Sequence, residues 1–232
     1  MDKMASSTLE FRKAFMYKRI LILITLVWAQ GALGWLSSVV AQTLSVGVGE
    51  LLRHRIEATG SPPKIMVGEE SIYDSMTLSL FYEGRTYQPA WSHDDGPLTQ
   101  ADSLIKAIRE ANLEGLRPDD YHLAKIEATL QGVRQNQDKT KLNPNRLADL
   151  DLLLTDAFLT YGSHLLAGRV NPVTVDAEWL VERRKADLVQ VLQTAIDANQ
   201  IEEALKGLRP PYPGYPRLQE ALAHYRDLAE KG

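Results

Sequence analysis

The sequence predicts a mainly α fold, a single helical domain of about six helices with a few short extended segments, preceded by a signal or anchor segment. Three observations predict it. Apolar residues recur at three- and four-residue steps through most of the chain after residue 70, which is helical spacing. Strand signals are scarce. A basic stretch at the N-terminus runs directly into an uncharged apolar one. The boundaries divide the chain into a signal peptide or membrane anchor (1–41), a lead-in to the exported part (42–69) and the helical domain (70–232).

At the N-terminus, Lys3, Arg12, Lys13, Lys18 and Arg19 stand against Asp2 and Glu10, a net charge of +3. From Ile20 to Gly49 no side chain is charged, and Ile20–Ala29 is the most apolar part. Positive charge followed by about ten apolar residues has the form of a secretory signal. Val39 and Ala41 supply the small residues of a cleavage site, with Ala41 as the cleavage candidate. The competing reading is one membrane-spanning helix over 20–40, since about 20 apolar residues cross a bilayer core. Both readings keep the basic flank in the cytoplasm and translocate the rest to the periplasm, free or anchored in the inner membrane.

Thr99 is placed to cap a helix over 100–111 that carries Leu104, Ile105 and Ile108 on one face. Gly115 and Pro118 break it, and Asp119 or Asp120 starts a short helix to about Leu130. The polar stretch Gln131–Asn145 reads as a loop. The strongest helix spans 146–167, with Leu147, Leu150, Leu154, Ala157, Phe158, Tyr161 and Leu165 on one side. Gly168 stops it, and Asn171–Pro172 confirm the break. Further helices fit 186–199 and Pro216 to about Glu230, separated by the proline-rich connector Leu208–Tyr215. Lys64–Val67 and Thr86–Trp91 are expected as short extended segments, with Pro89 barring a central strand.

Composition narrows the chemistry. The chain has no cysteine, hence no disulfide, no thiolate metal site and no thiol nucleophile. The formal charge is −4, and beyond residue 19 the balance of 21 basic and 28 acidic side chains is −7, against nucleic acid as a partner. None of His54, His93, His122, His164 and His224 pairs with another at helical spacing, so no metal motif is visible. His93-Asp94-Asp95 is the one dense group, and the adjacent Gly96-Pro97 makes it a solvated loop. Gly47-Val48-Gly49 lacks the preceding strand and third glycine of a phosphate loop, and no cofactor is implied. No particular pair of carboxylates is marked for glycoside hydrolysis.

Four clusters remain. Phe81, Tyr82, Arg85, Tyr87, Pro89 and Trp91 lie in FYEGRTYQPAW; Gly115, Leu116, Pro118 and Tyr121 lie in EGLRPDDYH. Gly168, Arg169 and Pro172 lie in LAGRVNP; Pro213, Tyr215 and Tyr225 lie in LRPPYPGYPRLQEALAHYR. In this order and spacing they resemble the N-terminal scaffold domain of YcbB-like L,D-transpeptidases, over about two-thirds of the chain. The resemblance implies a periplasmic, non-catalytic scaffold in peptidoglycan 3→3 cross-linking. Its partners would be the other domains of an L,D-transpeptidase or cell-wall assembly proteins, and peptidoglycan itself. The family's catalytic domain carries a Ser-His-Gly-Cys-x-Arg motif. Here Ser163-His164 is followed by Leu165-Leu166, so no catalytic residue carries over, and the chain is expected to be a truncated member or fragment not enzymatic on its own. The alternative is a stand-alone peptidoglycan- or partner-binding module.

Each cluster also has a structural reading. Tyr82, Tyr87 and Trp91 fit core plugs with hydrogen-bonded polar tips, against a sugar- or peptide-stacking surface. Pro118-Asp119-Asp120 is a turn and helix cap. Arg169 is placed to bond the last carbonyls of its helix. The prolines from Pro210 to Pro216 stiffen a connector.

Overall fold

The computed structural model describes residues 47–60, 62–93, 95–135, 142–175 and 182–232, with Val173 by its backbone alone. The signal or anchor segment and Ala41 lie outside these residues. The compact unit comprises Leu44–Gly232. Its elements are α1 (47–57), the hairpin β1 (Met66–Val67) and β2 (Glu70–Ser71), α2 (Ser75–Gly84), the hairpin β3 (Ser92–His93) and β4 (Gly96–Pro97), and α3 (Thr99–Arg109). Two 3₁₀ turns, Glu110–Glu114 and Pro118–Tyr121, lead to α4 (Leu123–Arg134). Then follow α5 (Pro144–Ala167), α6 (Pro172–Val175), α7 (Leu188–Asp197), α8 (Ile201–Leu208) and α9 (Tyr215–Lys231). The fold is mainly α, as the periodicity predicts. Each hairpin is a two-stranded antiparallel sheet.

The 24-residue helix α5 is the axis of the unit. Asn143 caps it through a side-chain bond to the Asn145 amide, and Pro144 occupies its first turn, where a missing N–H costs nothing. Gly168, at φ 78°, ends it. The sequence places its apolar residues on one side, but every residue from Leu150 to Leu159 is buried. The reason is encirclement: α2, α3, α4, α7 and α8 all pack on it. Gly162 lets α8 approach, since a Cβ there would lie 3.0 Å from Leu208 Cδ1. Val48, Leu52 and Ile56 of α1 join the same core.

Four expectations change. Thr99 opens α3 without capping it; the cap position is Leu98, which makes no side-chain bond. The helix drawn from Asp119 to Leu130 is split by His122 in the left-handed region (φ 56°), and α4 runs on to Arg134. Thr86–Trp91 is not extended, because Thr86 and Tyr87 are left-handed (φ 51° and 60°) where the chain turns off α2. Helices also exceed the number predicted. In α2, Ser and Thr alternate with apolar residues and weaken the helical signal, while Asn199 (φ 54°) splits α8 from α7. Among the described residues no helix is long and apolar enough to cross a membrane.

Candidate functional site

Three polar residues sit in the buried middle of α5: Asp151, Thr155 and Asp156, each 0% exposed. A carboxylate is stable there only if its oxygens find donors. Residues 151 and 155 are four apart and share one face; 156 is rotated about 100° further around the helix. Two faces of α5 therefore hold two different partners.

On the first face, Asp151 Oδ1 accepts from the Ala90 amide at 2.7 Å and the Tyr82 hydroxyl at 2.8 Å. Its Oδ2 accepts from the Trp91 amide at 3.1 Å and the Ser92 hydroxyl at 3.3 Å. Thr155 Oγ1 accepts from the Trp91 indole N–H at 3.0 Å and lies 2.9 Å from the Tyr82 oxygen. Because the Tyr82 proton goes to Asp151, Thr155 is the donor to Tyr82. Burial pushes the Asp151 carboxyl up, opposed by the Ala90 amide, the Tyr82 hydroxyl and the Trp91 amide. Burial also holds the Tyr82 hydroxyl well above its ordinary value. The first cluster is thus bonded to the centre of the molecule. Phe81 is buried edge-on to Tyr82, and Pro89 is buried beside them. Arg85 donates to the Pro89 carbonyl at 3.1 Å and to Gln193 at 2.8 Å, tying the turn to α7. Tyr87 is half-buried under the Arg53 guanidinium, and its carbonyl would meet a Cβ on Gly49 at 3.2 Å.

On the second face, Asp156 accepts from the Tyr73 and Asp74 amides at 3.1 and 3.2 Å and contacts His122 Nε2 at 2.8 Å. His122 Nδ1 lies 3.1 Å from Glu70 Oε2. The Tyr73 ring stacks on the imidazole at 5.0 Å.

The remaining clusters meet one another. Asp120 pairs with Arg169 at 2.7 Å, joining the second cluster to the third. Arg169 does not cap its helix as the sequence reading has it. Arg183 donates to the Ala167 and Gly168 carbonyls, at 2.9 and 2.7 Å. Glu114, whose side chain is 1% exposed, pairs with Arg209 at 2.6 Å and accepts from the Tyr215 hydroxyl, joining the second cluster to the fourth. Gly115 closes the 3₁₀ turn at φ 75°, with Leu222 of α9 close by; Leu116 is half-buried against the core, and Pro118 opens the next turn. Tyr121 is buried against Tyr161, its hydroxyl 3.0 Å from His164 Nδ1. Burial, then the charge of Arg169, lowers the His164 pKa. Pro172 begins α6, Pro213 is exposed in the connector and Tyr225 is 70% exposed on α9.

A family model described as a Scaffold domain matches residues 77–222. The chain belongs to this Scaffold domain family. The match agrees with the resemblance to scaffold domains of L,D-transpeptidases. No curated protein and no solved structure matches the chain at a significant level. Within the Scaffold domain, the clusters act as joints that fix turns and connectors to the α5 axis and to one another. Asp151, Thr155 and Asp156 escape the sequence reading. The signal was present, as polar residues in the run LDLLLTDAFL are poor helix-interior choices unless something answers them. His93 is exposed as the last residue of β3, paired with Gly96, and Asp95 is exposed in the turn that follows; Asp94 lies outside the described residues. Among the described residues no group of three or more His, Cys, Asp or Glu is placed to hold a metal ion. Glu70 and Asp156 take opposite nitrogens of His122 and do not converge on one point.

Proposed function

We propose that this non-catalytic scaffold serves an L,D-transpeptidase-like system in peptidoglycan 3→3 cross-linking, on the periplasmic side of the membrane, delivered by an N-terminal signal or anchor. The observation that carries the reading is how the family clusters are used. They fix the turns and connectors between helices through polar contacts, buried at Asp151 and partly exposed at Asp120–Arg169 and Glu114–Arg209, so that the helical body presents its surface at fixed angles. A rigid frame for neighbouring catalytic and peptidoglycan-binding domains needs that property. Without a cysteine the chain cannot form a thioester with a peptide stem. The partners proposed are those domains, other cell-wall assembly proteins, or peptidoglycan.

The test uses the purified full chain in mild detergent. Mixed with tetrapeptide muropeptides, it should yield no 3→3 dimer and no covalent adduct by mass spectrometry. Mixed with the peptidoglycan-binding and catalytic segment of a family L,D-transpeptidase, it should co-elute and raise dimer yield. Failure to associate with that segment, together with retention on insoluble sacculi, would favour the stand-alone binding module. Trp91 could take no part in such binding by stacking, since it is 0% exposed.

A further inference from the structure

His122 stands at the junction of the second 3₁₀ turn and α4, in a left-handed conformation that turns its side chain inward instead of capping the helix. The side chain is 2% exposed, yet both ring nitrogens meet carboxylate oxygens: Asp156 Oδ2 at Nε2 and Glu70 Oε2 at Nδ1. A neutral imidazole has one N–H and can satisfy only one such acceptor. Two carboxylates on opposite nitrogens require both to carry hydrogen, which is the imidazolium form. This proton is held at the N-terminus of α4, where the helix dipole opposes a cation, so the carboxylates have to supply the stabilisation.

We propose that Glu70, His122 and Asp156 form a proton-dependent lock, which pins the β1–β2 hairpin and the start of α2 to α5 while the imidazole is charged and loosens them when the proton leaves. The surrounding groups define what the lock joins. Glu70 belongs to β2, Asp156 to α5, and the Tyr73 and Asp74 amides on Asp156 form the entry to α2. Tyr73, 62% exposed, covers the imidazole from the solvent side. The other charges nearby have their own partners or positions. Asp74 caps α2 through the Thr77 amide, Asp120 is paired with Arg169, and Lys125 lies close to the hairpin turn at Gly68. Loss of the proton leaves one carboxylate–nitrogen contact without a hydrogen. Glu70 is the partner that can leave, because its side chain is 44% exposed whereas Asp156 is enclosed.

Burial opposes the charge on His122, but the bonds and charges of Asp156 and Glu70 outweigh it and raise its pKa above 6.5. A base whose pKa is raised on folding stabilises the fold fully below its unfolded pKa, and that stability fades as pH rises through the folded pKa. The lock is therefore closed while the imidazole holds its proton and opens as pH rises through the folded pKa of His122.

The test is made on the ¹⁵N-labelled full chain in mild detergent. Long-range nitrogen–proton spectra over a pH series should show His122 still mostly doubly protonated at about pH 6.5, where an ordinary imidazole is half deprotonated. Hydrogen-exchange protection of the Tyr73 and Asp74 amides, corrected for intrinsic rate, should fall at least about tenfold as His122 deprotonates. In Glu70→Gln, at a half-exposed position, the fall should come about one pH unit lower. In His122→Gln it should be absent; if that variant does not fold, Glu70→Gln alone carries the comparison. A His122 that loses its proton at or below the ordinary imidazole value of about 6.5 overturns the proposal. So does deprotonation that leaves the protection of both amides unchanged, or a Glu70→Gln profile identical to the wild type.

Discussion

Asp151 shows how one side chain fixes a whole segment. Its two oxygens take four donors from residues 82–92, so the turn after α2 has one position relative to α5. Asp151→Asn keeps the volume but turns an NH₂ toward donors, so buried amides lose their acceptor. The expected loss is about 3 kcal/mol in urea unfolding. Trp91 tests the neighbouring bond. Trp91→Phe loses the indole bond to Thr155 and should cost about 1–2 kcal/mol, whereas Trp91→Ala also opens a cavity and should cost about 3–5 kcal/mol. A Trp91 that instead served a glycan surface would tolerate both changes in stability measurements. Tyr82 and Trp91 were legible as core plugs with bonded tips; the acceptors that bond them were not, because they lie about sixty to seventy residues away in sequence.

At the scale of elements, the body of α5 and its end at Gly168 were legible, but it begins at Pro144, two residues earlier than the sequence reading has it, because Asn143 and Pro144, assigned there to the loop, cap and open it. What escaped was that it is enclosed on every side, which depends on helices distant in sequence. Gly162 marks the tightest of these approaches, with Leu208 Cδ1 and Leu188 Cδ2 at 3.0 and 3.6 Å from a would-be Cβ. Gly162→Val should overpack the contact with α8 and cost about 2 kcal/mol, read as a shift in the denaturation midpoint at unchanged slope. The α3–α4 region was only half legible. Gly115 and Pro118 announce a break, but the left-handed His122 is imposed by its bonds to Glu70 and Asp156.

Across the whole unit, the elements do not depend equally on the α5 axis. The elements around Asp151 and Asp156 share one core with α1, α2, α4, α7 and α8. By contrast α9 contributes no buried residue; Leu218 and Tyr225 are 68% and 70% exposed, and it is attached through Tyr215, Leu222 and Arg226. Ending the chain at Gly214 should therefore leave cooperative unfolding intact, with a loss of no more than about 2 kcal/mol by calorimetry. A collapse of the transition would mean that α9 belongs to the core. The same exposed residues give α9 an apolar face unlike that of any buried helix.

The sequence by itself determined that this chain is mainly helical and has no thiol nucleophile, because helical period and breaks are written in nearby residues and cysteine is absent, and its four clusters carry the resemblance that the Scaffold domain match bears out. Tertiary structure alone decided which polar groups answer one another: Asp151 with Ala90 and Trp91, Asp156 with His122, Glu114 with Arg209 and Asp120 with Arg169. A helix pattern is a property of neighbours along the chain, whereas a buried hydrogen bond is made between segments that folding brings together. Its cost when unmet, and hence its power to fix a turn, exists only once water has been excluded.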